Sequence, residues 1–163
     1  MKRVALHFPF FFKSLLYAMV AGSWFSGVAF FALHRWVRVA SEFGDEHSPW
    51  EAVLLKIHGA LAMGAMVFFG YLLATHVTVA LRTHRNRILG LTLVGIVTFQ
   101  IASGYGLFYL GDEQLRALTA WAHLAVGFFA PFLLALHIWS GRRSRTLPRK
   151  SSSWPAPASA RDI

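Results

Sequence analysis

Four stretches of this chain, near residues 14–34, 52–81, 88–110 and 117–140, are each long and apolar enough to cross a lipid bilayer. A helix needs about 20 residues to span the roughly 30 Å hydrocarbon core, where it satisfies its own backbone hydrogen bonds without water. Four such segments, joined by loops too short to hold a further domain, predict an all-α protein, an integral membrane four-helix bundle formed by residues 1–141. Composition agrees, since 56% of the 163 residues are hydrophobic, with 15 Phe and 6 Trp, more than a soluble domain of this size needs. A cleaved signal peptide is the competing reading of the first stretch. Lys13 interrupts its apolar run and no small-residue cleavage site precedes Arg35, so the segment reads as a retained helix.

Charge sets the expected orientation. Lys2, Arg3 and Lys13 precede the first span, Arg82, Arg85 and Arg87 lie between the second and third, and Arg142, Arg143, Arg145, Arg149, Lys150 and Arg161 follow the fourth. The acidic residues Glu42, Asp45, Glu46, Glu51, Asp112 and Glu113 fall in the two opposite loops. By the positive-inside rule both termini are expected in the cytoplasm, which makes the chain a multi-pass membrane protein. The net charge of +9 is then a topology signal and a contact with anionic lipid, and calls for no nucleic acid. Residues 142–163, basic and then rich in Ser, Pro and Ala, read as a disordered cytoplasmic tail.

The chain has no cysteine, which excludes covalent haem attachment, iron–sulfur clusters, thiol chemistry and disulfides. Histidine carries the chemistry instead. His123 and His137 stand fourteen residues apart in the fourth span, about 1400° of helical rotation and so about 40° from eclipsed. His58 and His76 stand eighteen apart in the second span, about five full turns, and share a face as well. The second and fourth spans run in the same direction, so His58 falls at the depth of His123 and His76 at the depth of His137. Each level then offers two neutral imidazoles from facing helices, the requirement for bis-His ligation of haem iron inside a bundle. Coordination also removes the cost of an unsatisfied ring nitrogen in hydrocarbon.

Small residues such as Gly59, beside His58, and Gly127, one turn after His123, leave room for a macrocycle, although glycine serves ordinary close packing too. Arg116 near the outer level and Arg82 near the inner one are candidates to pair with propionates. Spacing raises one difficulty. A straight helix separates His123 from His137 by about 21 Å and His58 from His76 by about 27 Å, so tilt and a kink at Pro131 must absorb about 6 Å. His34 in place of His58, or a single haem, are the alternative arrangements. The remaining candidates read blandly: His7 as interfacial, His84 as part of a basic loop, and His47 in a solvated acidic loop where Asp45 and Glu46 offer a weak metal set. Met63 and Met66 read as packing toward the interior of the second span.

The run "ASGYGLFYLGDEQLRALTAWAHLAVGFFAPFLLALHIWSGRR", with "HGALAM" and "ATHV" in the second span, resembles small four-helix bacterial di-haem cytochromes b of the flavinylation-associated type. More distantly the chain is similar to the cytochrome b subunits of formate dehydrogenases and hydrogenases. The resemblance implies two non-covalent b haems on His58, His76, His123 and His137. It also implies electron transfer with membrane quinone or a flavin- or haem-bearing protein, in an electron carrier or an oxidoreductase subunit. Two other classes stay open: a His-lined transporter, which would want carboxylates at depth where the spans have none, and a structural membrane anchor for a larger complex.

Overall fold

The computed structural model describes residues 9–42, 44–83 and 87–146. Helix α1 spans Phe10–Trp36, and a short antiparallel hairpin comes next, β1 (Arg38–Ser41) and β2 (Gly44–His47). Helix α2 (Trp50–Leu72) runs through a π-helical turn (Leu73–Val77) into α3 (Thr78–Thr83), making one rod, and α4 (Arg87–Tyr109) and α5 (Glu113–Thr146) complete the chain. Four helices, Phe10–Trp36, Trp50–Arg82, Arg87–Tyr109 and Glu113–Arg143, are long and apolar enough to cross a membrane. Helix α5 reaches beyond residue 141, so the expected tail is helical at least to Thr146. Residues 147–163, and His7 and His84, lie outside the described residues.

Local chemistry starts each element. Asp112 caps α5 by accepting the Leu115 backbone N–H at 2.7 Å, the role Asp favours at a helix N-terminus. Ser48, Pro49 and Glu51 have the pattern of a capped α2, yet the Glu51 side chain is drawn elsewhere. The loop read as merely acidic folds as a hairpin whose register sets Arg38 opposite His47 and Ser41 opposite Gly44. Gly44 closes the turn at φ 114°, a conformation that residues with a Cβ rarely adopt.

Packing divides the bundle into two helical hairpins. Helix α1 lies along α2 and α4 along α5, and the hairpins meet principally where α1 touches α5. The α1/α2 seam is reciprocal: Leu61 of α2 sits over Gly22 of α1, and Met19 of α1 sits over Gly64 of α2, the close approach that small residues allow in membrane helices. Between hairpins, the Trp24 indole N–H donates to the Phe128 carbonyl at 3.3 Å and Phe31 meets Trp121 edge-on at 5.9 Å. An apolar cavity of about 380 Å³, bordered by Tyr17, Trp24, Pro131 and Phe132, lies beside this contact. No hydrophobic side chain among the described residues is buried, and the buried residues Ser26, Ser48, Glu51 and Ser103 are all polar. Polar groups are thus turned inward and apolar ones outward, the reverse of a water-soluble core. Met63 and Met66, expected to face inward, are 66% and 41% exposed.

Candidate functional site

The rings of His58 (α2) and His123 (α5) face each other with centroids 6.3 Å apart and planes at 82°. His76, in the π turn, and His137 (α5) repeat the arrangement at 6.4 Å and 88°. Each pair therefore takes one imidazole from each hairpin, and the two pairs have nearly the same geometry at two depths. His34, the alternative partner for His123, is engaged elsewhere.

The separation is longer than a direct hydrogen bond between the two rings would give. An end-on N–H···N hydrogen bond of about 2.9 Å, with about 1.2 Å from each ring nitrogen to its centroid, would bring the centroids to about 5.3 Å. Two metal–nitrogen bonds of about 2.0 Å in line would hold them about 6.4 Å apart. Both pairs stand at about the second value, which is also an ordinary separation for edge-to-face ring packing.

At the first level the ring nitrogens are oriented by neighbours. His58 Nδ1–H donates to the Ser23 carbonyl at 2.8 Å, and because a carbonyl only accepts, Nδ1 carries the proton. Ser26 Oγ lies 3.4 Å from the same nitrogen and donates its own hydrogen to the Gly22 carbonyl at 2.7 Å. The opposite side mirrors this. Ser103 Oγ donates to the Phe99 carbonyl at 2.7 Å and so accepts from His123 Nδ1–H at 2.8 Å. Both rings are left with Nε2 as the free lone pair, the state a metal requires, with the second partner that ligating histidines usually have. Ser26 and Ser103 are each only 7% exposed, the most buried positions in their helices.

Glycine fixes the ring positions. A Cβ at Gly27 would stand 2.9 Å from His58 Cε1, one at Gly104 3.3 Å from His123 Cε1, and one at Gly90 3.5 Å from His137 Cε1. The dipeptide Ser-Gly thus occurs at 26–27 in α1 and at 103–104 in α4, beside one histidine of the same level each time. The same dipeptide also stands at 140–141, so it does not by itself mark the supporting residues in the sequence. Gly59 has no neighbour within 4 Å of a Cβ, and Gly127 abuts the side chain of Gln100 in α4. At the second level His137 Nδ1 is buried without a hydrogen-bond partner. Arg82, at the end of α3, and Arg116, in the first turns of α5, are both exposed. Arg116 precedes His123 by seven residues, about two turns, which sets it on the same face.

The straight-helix count for α2 does not hold through residue 76. A π turn under-rotates the chain and shortens its rise relative to an α-helix, so His76 reaches His137 through the Leu73–Val77 turn rather than by a simple eighteen-residue repeat. The shortening has the sign that the longer α2 spacing demands. Helix α5 continues unbroken past Pro131.

A third cluster lies at the hairpin end. Glu51 receives His34 Nδ1 on one carboxylate oxygen and His47 Nδ1 on the other, each at 2.9 Å, and the two rings stack at 4.6 Å. Asp45 and Glu46 are not part of it; Glu46 accepts the Ser41 hydroxyl at 2.8 Å. The chain matches no protein-family model, no curated protein and no solved structure.

Proposed function

We propose that this chain is a membrane electron carrier of the b type, in which His58 with His123 and His76 with His137 each ligate one non-covalent haem. The observation that carries the reading is the recurrence of one inter-imidazole geometry, 6.3 and 6.4 Å at near-perpendicular planes, in two pairs drawn from the same two hairpins. Bound there, each haem supplies a one-electron ferric/ferrous couple. The protein's own residues do the rest. Ser23, Ser26 and Ser103 hold two imidazoles in the tautomer that presents Nε2, and Gly27, Gly90 and Gly104 let three rings rest against neighbouring backbone. Arg116 and Arg82 offer exposed cations for propionates at either end.

Under this reading the β-hairpin faces away from the cytoplasm and the basic ends of α3 and α5 face it, in a bacterial inner membrane. Two levels about 20 Å or more apart along the helices carry electrons between the two faces. The exchange partners are membrane quinone at one end and a flavin- or haem-bearing protein at the other.

The test is a dithionite-reduced minus oxidised spectrum of the purified chain, with haem counted as the pyridine haemochrome. A b-type α-band with two haems per chain is expected, falling to one in His123→Ala or His137→Ala. Absence of haem after expression with ample haem supply would overturn the reading and leave a membrane anchor or transporter.

A further inference from the structure

We propose that His34, His47 and Glu51 form a binding site for a divalent cation of the zinc type, on the end of the bundle closed by the β-hairpin. The three residues come from three elements, the last turns of α1, the end of β2 and the first turn of α2, and one donor atom from each lies within 4.8 Å of the others. Two imidazoles and a carboxylate, with water completing the shell, are a donor set that zinc uses when one position stays open. Ligand atoms around such an ion stand about 3.3 Å apart, so the cluster closes on it by side-chain movements of about 1 Å. His34 and His47 have the freedom for this, with side chains 52% and 49% exposed, while Glu51, at 11%, is the fixed member.

His47 Nδ1 is within hydrogen-bond reach of Glu51 and also touches Arg38 Nη1, which approaches Nε2 of the same ring at 3.1 Å. Without a metal, Nδ1–H donates to Glu51 and Nε2 accepts from the Arg38 guanidinium. A cation bound to the Nδ1 lone pairs and to Glu51 replaces that arrangement: each neutral ring then carries its proton on Nε2, and Arg38 swings into solvent. Nothing in the site calls on the intramembrane histidines, so it stands whether or not haem is bound.

The full-length chain in detergent, stripped with chelator, is titrated with zinc chloride against a fluorescent zinc indicator. One saturable site per chain is expected, weakened at least about tenfold in His47→Ala and in Glu51→Gln. Glu51→Asp retains part of the affinity, and Arg38→Gln, which removes a neighbouring cation but no donor, tightens it. Elution of every variant at the wild-type position on size-exclusion chromatography in detergent shows that the variants fold, and haem content measured on the same samples stays at the wild-type value, which separates this site from the haem reading. Equal zinc binding by the wild type and the His34→Ala/His47→Ala double variant, or no binding by the wild type, would overturn the proposal.

Discussion

Hydrogen bonds to Nδ1 set two of the intramembrane imidazoles apart from a third. His58 and His123 each give their Nδ1 proton to an oxygen at 2.8 Å, whereas His137 Nδ1 is buried without a partner. A hydrogen-bonded imidazole is the more basic ligand and favours the oxidised metal. The two haems of the proposed function should therefore titrate separately, with the His58–His123 level at the lower potential. Ser103→Ala removes the acceptor for His123 and should raise that potential by about 30–60 mV, up to a tenfold change in relative affinity for the two oxidation states. Ser26→Ala should shift it less, because the Ser23 carbonyl at 2.8 Å, and not Ser26 Oγ at 3.4 Å, is the closer acceptor for His58. Spectroelectrochemistry of the three proteins measures both effects. The glycines make an equally sharp contrast: Gly27→Ala drives a methyl to 2.9 Å from His58 and should cost one haem per chain, while Gly59→Ala, with no neighbour within 4 Å, should cost none. Histidine spacing was enough to find the four rings in the sequence. It was not enough to find Ser26 and Ser103, because a serine in an apolar helix is satisfied by its own i−4 carbonyl and signals nothing beyond that until the neighbouring helix is known.

At the scale of elements, the four long helices were legible because about 20 apolar residues in a row admit little else. Their ends were legible only within a few residues, since α1 takes in Lys13 and α5 runs on through Arg142 and Arg143. The π turn was not legible. Nothing in the string LATHV distinguishes a five-residue turn from an α-helical one; it is selected by where His76 must meet a second hairpin. Such a turn holds one residue more than the α-helical ladder needs. Deleting Ala74 should then convert it to regular helix with Thr78 and the rest of α3 kept in place, and both haems should survive. Deleting Ala135 from α5, where no spare residue exists, should rotate His137 by about 100° and remove one haem. Counting haem in the two deletion variants checks the assignment. The β-hairpin was hidden for a different reason: its acidic side chains resemble a solvated loop, and its order comes from Gly44 and from cross-strand pairs such as Arg38 with His47.

For the whole molecule, both ends of the bundle are chemically distinct, with the hairpin and Glu51 at one and the arginines of α3 and α5 at the other. Because the chain has no native cysteine, single cysteines report sidedness without a background to remove. In intact spheroplasts an impermeant maleimide should label Ala40→Cys and Gln114→Cys, and should label Arg87→Cys only after lysis; the opposite pattern would invert the proposed orientation. The division into two hairpins joined mainly through α1 and α5 has one more consequence. If each ligand pair is completed only by haem iron, the cofactor is the bolt that fastens one half of the protein to the other. A chain made when haem is scarce would then be a pair of loosely associated hairpins, open to membrane proteolysis, and the cell would tune the amount of this protein to its haem supply by survival rather than by synthesis.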